Sequence, residues 1–162
     1  MKLAIVSDSH DNIPRIDQML GIIKNEKIDT IIHCGDVTTL VTIKYLSKRF
    51  VGKIYLSLGN VDRMHGLEKK DIKLNNVTVF DNFGELEINN INIAFVHFPE
   101  IAKELANTKK YDFVFYGHTH KPWEEIIENT HVVNPGTLAG IFNKSTFAML
   151  DLDSKELKLV IL

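Results

Sequence analysis

Residues 2–16 read KLAIVSDSHDNIPRI, and this stretch decides how the rest of the chain is parsed. KLAIVS (2–7) is a short apolar run of the kind that forms a buried strand. It breaks into the polar block SDSHDN, where Asp11 or Asn12 can cap a helix with Pro14 in its first turn. Ile13, Ile16, Leu20 and Ile23 then recur at steps of three and four, the stripe of an amphipathic helix. Strand, polar turn and helix make the opening of a parallel βαβ unit.

The pattern repeats outward. DTIIHCG (29–35) reads as a second strand, Leu40, Ile43, Leu46 and Phe50 mark a second helix face, and KIYLSLG (53–59) reads as a third strand. Such alternation predicts right-handed crossovers and parallel pairing. The second half is richer in strands: Thr78–Phe80, Glu85–Ile88 and Ile91–Val96, the last two joined through Asn89-Asn90. Pro99–Asn107 reads as a third helix and Tyr111–Tyr116 as the strand after it. Glu124–Glu128 and His131–Val133 predict a hairpin through Asn129-Thr130, and STFAMLDLD (145–153) and KELKLVIL (155–162) close the chain. With no repeat, linker or low-complexity segment, the expectation is one domain over 1–162 of α/β class. Its predicted architecture is a four-layer α/β/β/α sandwich of two mixed sheets flanked by helices.

The chain has 162 residues, 44% hydrophobic and 25% charged, ordinary for a globular protein. A net charge of −2 gives no reason to expect nucleic acid or a membrane surface as a partner. The single cysteine, Cys34, forms no intrachain disulfide, which suits a cytoplasmic location. The N-terminus lacks a signal-peptide core, and no segment is apolar for the roughly 18 residues of a membrane span.

Metal-capable residues gather where the strands end. The first delivers Asp8 and His10, the second Asp36, the third Asn60 and Asp62, the Ile91–Val96 strand His97, and the 111–116 strand His118 and His120 of GHTH. In α/β sheets, ligands bind beyond the carboxyl ends of the strands. Each motif alone is weak, but their shared position argues for a metal site. Asp36 has two oxygens and so can bridge two ions. The i, i+2 spacing of Asp8/His10 and of His118/His120 would return both side chains to one side of an extended segment. Two divalent ions against two carboxylates leave about two positive charges, which attract an anionic ester and acidify bound water. Mixed nitrogen and oxygen donors suit manganese, iron, zinc, nickel or cobalt better than magnesium or calcium.

The blocks D-x-H, G-D, G-N, H and G-H-x-H, followed by NPGT (134–137), resemble the calcineurin-like metallophosphoesterase superfamily, and within it the small single-domain bacterial and archaeal phosphodiesterases. The resemblance covers essentially the whole chain. It implies one ion on Asp8, His10, Asp36 and His120, and a second on Asp36, Asn60, His97 and His118, with manganese the first expectation. It also implies a hydroxide bridging the ions as nucleophile, with Asp36, Asn60 and His97 in the catalytic set and Asn60 stabilising phosphoryl charge. The substrate would be a small phosphoester; the oligomeric state is open, a homo-oligomer included.

Two positions depart from the family. Val61 stands where many members carry a histidine that assists the leaving group, and a general acid is worth about 10²–10⁴-fold. His65 lies near enough in sequence to be considered as a substitute. Phe98 follows His97 where the family commonly has glycine, and would narrow the approach to the second ion.

Other residues have plainer readings. His33 and Cys34 are expected in the core, His131 on the surface, and Trp123 in packing. Asp62 is either a partner for one of the metal ligands or a solvated loop carboxylate. Arg63 and Lys121 are weaker candidates for phosphate contact. No interval is long enough for a capping domain, so an open, shallow site is expected. The competing function is a catalytically weak metal-binding or protein-interaction scaffold, as in the endosomal-sorting retromer subunit of this fold.

Overall fold

The computed structural model describes residues 1–162. Strand β1 is Lys2–Val6, and helix α1 is Ile13–Asn25. Of the two candidate caps, Asn12 serves, accepting the Arg15 N–H, while Asp11 accepts the Thr39 hydroxyl at 2.8 Å. There follow β2 (Thr30–His33), α2 (Leu40–Arg49), β3 (Lys53–Ser57), α3 (Asn60–Met64) and β4 (Val77–Phe80). The second half holds β5 (Phe83–Ile88), β6 (Ile91–Val96), α4 (Pro99–Asn107), β7 (Phe113–Phe115), β8 (Trp123–Ile127), β9 (Thr130–Asn134), β10 (Thr146–Asp151) and β11 (Glu156–Ile161).

Two mixed sheets result. The first has the order β11-β10-β1-β2-β3-β4 and the second β5-β6-β7-β9-β8. β1 to β4 run parallel, as the strand–helix alternation requires, while β10 and β11 add on antiparallel. In the second sheet β6, β7 and β9 are parallel, with β5 and β8 antiparallel at the edges.

The period of two along β1 explains the layering. Ala4 and Val6 face Ile16, Met19 and Ile23 of α1 and Ile43 and Leu46 of α2, whereas Leu3 and Ile5 face Phe95, Phe113 and Phe115 of the second sheet. A strand covered on both faces has no reason to alternate polar with apolar, which is why it reads as one apolar run. On the far side Ala102 and Ala106 of α4 pack on Ala94 and Val114. The order is therefore helix, sheet, sheet, helix. Phe95, Phe113, Phe115 and Phe147 are at most 1% exposed, and burying each contributes about 1.5–3 kcal/mol of transfer free energy.

Two local expectations are corrected, and one short helix appears where none was expected. The β8–β9 hairpin turns through Glu128-Asn129, because Ile127 already pairs with Thr130; Glu128 takes the left-handed φ of 57°, and the Thr130 hydroxyl is buried on the Tyr111 carbonyl at 2.6 Å. Trp123 does not pack: it is 52% exposed. And α3, a helix of 5 residues, carries no apolar stripe, its one buried residue being Asp62. The Asn89-Asn90 turn is as expected, both residues left-handed at φ 51° and 60°. No helix is long and apolar enough to cross a membrane.

Candidate metal centre

The parallel strands of both sheets end at one edge, and there the backbone leaves the extended region. Asp8, His10, Asp36, His118 and His120 all have positive φ, of 53°, 40°, 58°, 69° and 59°. Non-glycine residues in this region are uncommon, and they concentrate where surrounding structure holds them for a purpose. The i, i+2 pairs therefore converge through left-handed turns, and not along extended segments as their spacing suggests. The turns are held across strands: Asp8 N–H donates to the Gly35 carbonyl at 3.0 Å, His10 N–H to that of Asp36 at 3.1 Å, and Gly117 N–H to that of His97 at 3.0 Å.

Side chains from seven positions meet in two adjoining groups. In one, His120 Nε2 lies 3.2 Å from Asp8 Oδ1 and 3.3 Å from His10 Nε2. In the other, Asn60 Oδ1 is 3.0 Å from both His97 Nε2 and His118 Nδ1, and Asp36 Oδ2 is 3.3 Å from His97 Nε2. The donor atoms of Asp8, His10 and His120 lie within 4.8 Å of one another, as do those of Asp8, Asp36 and His97. Asp8 is thus a carboxylate common to both groups. Asp36 Oδ1 accepts the Val61 N–H at 2.9 Å, which aims Oδ2 at His97.

The imidazoles are oriented from behind. His97 donates Nδ1–H to the Cys34 carbonyl at 2.8 Å, and His120 donates Nδ1–H to that of Ile141 at 3.3 Å. With those protons placed, the Nε2 lone pairs point inward, the arrangement a metal-binding histidine needs. Asp8 Oδ1 is buried beside them with no hydrogen-bond partner. Converging lone pairs and an unpaired carboxylate oxygen are mutually repulsive unless a cation lies among them. These residues fit a metal ion.

The electrostatics agree. Burial pulls the His97 imidazole down, but the hydrogen bond and charge of Asp36 outweigh it and leave its pKa raised. A protonated His120 would donate to Asp8, and this raises its pKa. Burial pushes Asp36 up, yet His97 and the Val61 N–H leave it lowered. At these three residues the charged form is stabilised.

Glycines make the convergence sterically feasible. A Cβ on Gly59 would overlap Asp36 Oδ1, and one on Gly35 (φ 97°) would lie 2.7 Å from His97 Nδ1. At Gly117 a Cβ would overlap Ser7 Oγ and lie 2.7 Å from Asp8 Oδ2, although no positive φ forbids it a side chain. Gly117→Ala is accordingly expected to lose about 2 kcal/mol from overpacking alone, together with the stabilisation that added metal gives. Urea unfolding with and without Mn²⁺ measures both; unchanged midpoints would contradict the packing argument.

The supporting residues sort themselves. Asp62 is fully buried and accepts the N–H groups of Asp36, Thr38 and Gly59 at 2.8, 2.7 and 2.9 Å, tying the β2 and β3 ligand loops together. Desolvation dominates and raises its pKa. His33 is 1% exposed in the core as expected, yet it also braces the loops: Nδ1 accepts the Gly35 N–H at 3.2 Å and Nε2 donates to Ser9 Oγ at 3.0 Å. Cys34 is fully buried. His131 is half-exposed, pairing with Glu124 at 3.0 Å and stacking on Phe113. The two phosphate-contact candidates are otherwise engaged, Arg63 on the Asp81 carbonyl and Lys121 over the Trp123 ring at 5.6 Å. His65 is the exposed C-cap of α3 and bonds none of the ligand candidates. A cavity of about 830 Å³ lies elsewhere, between α1 and α2, lined by Lys24, Lys27, Arg49 and Phe50 among others; it has no histidine, and its two carboxylates, Asp17 and Asp29, accept the Tyr45 and Thr30 hydroxyls. Sequence reasoning missed Phe142, which stands beside His120 with ring centroids 6.0 Å apart.

A family model for the calcineurin-like phosphoesterase superfamily domain matches residues 1–155. The chain belongs to that superfamily and is a metal-dependent phosphoesterase. It is 32% identical to a phosphodiesterase of Methanocaldococcus jannaschii over 166 aligned positions, covering 100% of this chain and 99% of the relative. A solved structure described as a novel archaeal phosphodiesterase superposes with a TM-score of 0.87 at 32% identity, each chain fully covered. Vacuolar protein sorting 29 of Cryptosporidium parvum shares the fold, with a TM-score of 0.71 at 17% identity over 99% of this chain and 96% of that one.

Proposed function

We propose that the chain, as one unit over 1–162, is a phosphodiesterase acting on a small phosphodiester with two divalent ions. Asp8, His10, Asp36 and His120 hold one ion, and Asp36, Asn60, His97 and His118 the other. The observation that carries this reading is the acceptor-only cluster around Asp8 Oδ1, a buried oxygen with no donor in the protein. The phosphodiesterase relative at 32% identity over the full chain supports the choice of diester.

Such ions, with manganese the first candidate on the superfamily resemblance, would supply the charge that draws the ester and would ionise the water that serves as nucleophile. The protein's own groups do the rest. Asp36, Asn60 and His97 form the catalytic set. Asn60 turns its Oδ1 to His97 and His118, which leaves its amide N–H₂ free of any bond within the chain and able to donate to a phosphoryl oxygen as charge develops there. No titratable side chain at position 61 protonates the leaving group, so esters with good leaving groups are favoured.

Metal analysis of the purified protein, with turnover across Mn, Ni, Co, Zn and Mg, tests this. An activated aryl phosphodiester is expected to exceed an alkyl monoester in kcat/KM by at least tenfold. Equal values would sink the preference. A filled site with no turnover on any metal would favour a metal-binding scaffold, the reading that Val61 at the acid position supports.

A further inference from the structure

The loop between Leu138 and Ser145 is fastened to the metal-ligand turn. Leu138 N–H donates to the Ser7 carbonyl at 2.9 Å and Ala139 N–H to that of Asp8 at 3.0 Å. Asn12 Nδ2 donates to the Ala139 carbonyl at 2.9 Å, and the Ile141 carbonyl is the one that orients His120. At the far end Thr146 N–H closes the loop on the Thr137 carbonyl at 2.9 Å. At its tip stands Phe142, 94% exposed and with a left-handed φ of 64°.

A lone exposed apolar residue needs no explanation. This one differs in two respects. A bulky side chain at positive φ is an unfavourable choice, since glycine or asparagine would sit there with less strain. And the residues just before it, Leu138, Ala139 and Ile141, are bonded to the ligand turns, while Thr146 closes the loop on Thr137, so the ring stands beside His120. On the other side of the cluster Phe98, half-buried, packs its ring 5.1 Å from both His97 and His118. The phosphoryl-binding edge therefore has an aromatic wall at one end and an uncovered aromatic face at the other.

We propose that Phe142 is a specificity-determining residue, a stacking platform for a planar aromatic group on an ester arm of the substrate. The proposal rests on the phosphodiesterase reading and narrows it to aryl or nucleoside phosphodiesters. A phosphodiester has two arms; with its phosphoryl group over the ligand cluster, one arm reaches Phe142. Stacking on an aromatic ring is tolerant of the ring's identity, because every base or aryl group has a π-face. The rest of the open edge offers little to select an alkyl arm.

Phenylphosphonate and methylphosphonate, which differ only in the ring, are the probes. Calorimetry on Mn-loaded wild type should show the phenyl compound binding about tenfold more tightly. Phe142→Ala should bring that preference below about twofold with methylphosphonate unchanged, and Phe142→Tyr should keep it. On bis(4-nitrophenyl) phosphate the alanine variant should raise KM about tenfold and leave kcat within about twofold. Phe142→Leu separates the ring from mere bulk, and an exposed position leaves folding intact in all three. A phenyl preference that survives Phe142→Ala, or no preference in wild type, overturns the proposal. Failure to bind either phosphonate overturns it too. Ring preference without any diester hydrolysis would sustain the platform and refute the phosphodiesterase reading.

Discussion

Asp36→Asn is expected to lower kcat/KM on a phosphodiester by about 10³-fold or more, the loss of several kcal/mol of charge stabilisation. The substitution is nearly isosteric. Its amide oxygen can still accept the Val61 N–H that Asp36 Oδ1 accepts at 2.9 Å, so the loop between β2 and α2 keeps its anchor. What goes is a buried negative charge beside His97, at a residue only 2% exposed. Removing it relieves desolvation but gives up the interactions with His97 that outweigh it, so the variant without added metal should unfold a few degrees below wild type. It should lose most of the metal-dependent rise in thermal midpoint, since stabilisation by a ligand follows its affinity for the folded state. Activity within tenfold of wild type would defeat the two-metal assignment.

The second large effect is a pH dependence carried by His33. Burial lowers its pKa from the ordinary 6.5 to about 4. Protonation would also place a second N–H against the Gly35 N–H that Nδ1 accepts. Above pH 6.5 the residue is neutral in both folded and unfolded chains and contributes no slope. As pH falls below 6.5 the unfolded chain takes up a proton that the folded one refuses until about pH 4, so stability drops through that window by about 3 kcal/mol. The raised pKa values of His97 and His120 work in the opposite sense, stabilising the fold at low pH and losing that contribution as pH rises. Comparing wild type with His33→Gln cancels them. In chelator-treated protein the variant should start lower by about 1 kcal/mol for its altered loop bonds, yet lack the descent between pH 6.5 and 4. Parallel curves for the two proteins would show that His33 does not titrate as its burial implies.

Much of this was legible in the sequence, for physical reasons that differ by element. β1, β2 and β3 are buried on both sides and so appear as unbroken apolar runs. α1 and α4 announce themselves by Pro14 and Pro99 in the first turn and by stripes at helical spacing. α3 did not, because what it buries is Asp62, a carboxylate satisfied by three backbone N–H groups. No apolar period can report that. The seven ligand candidates do come together, since the carboxyl ends of parallel strands must share an edge. How they come together was hidden: the left-handed conformation falls on Asp8, His10, Asp36, His118 and His120, residue types that do not announce it as glycine does. Phe142 was invisible for a related reason, as one aromatic in an irregular loop has no pattern until the loop's bonds to Ser7 and Asp8 are seen.

The ligand cluster straddles two sheets. Asp8, His10, Asp36 and Asn60 follow strands of the first, whereas His97, His118 and His120 follow strands of the second. Residues 8 and 120 lie more than half the chain apart, so no partly folded chain with one sheet formed holds the donor set. A cation at this edge thus binds only after the slow, non-local steps of folding are complete. It acts as a clasp on the finished molecule: it retards the parting of the sheets and leaves their first meeting to the apolar seam between them.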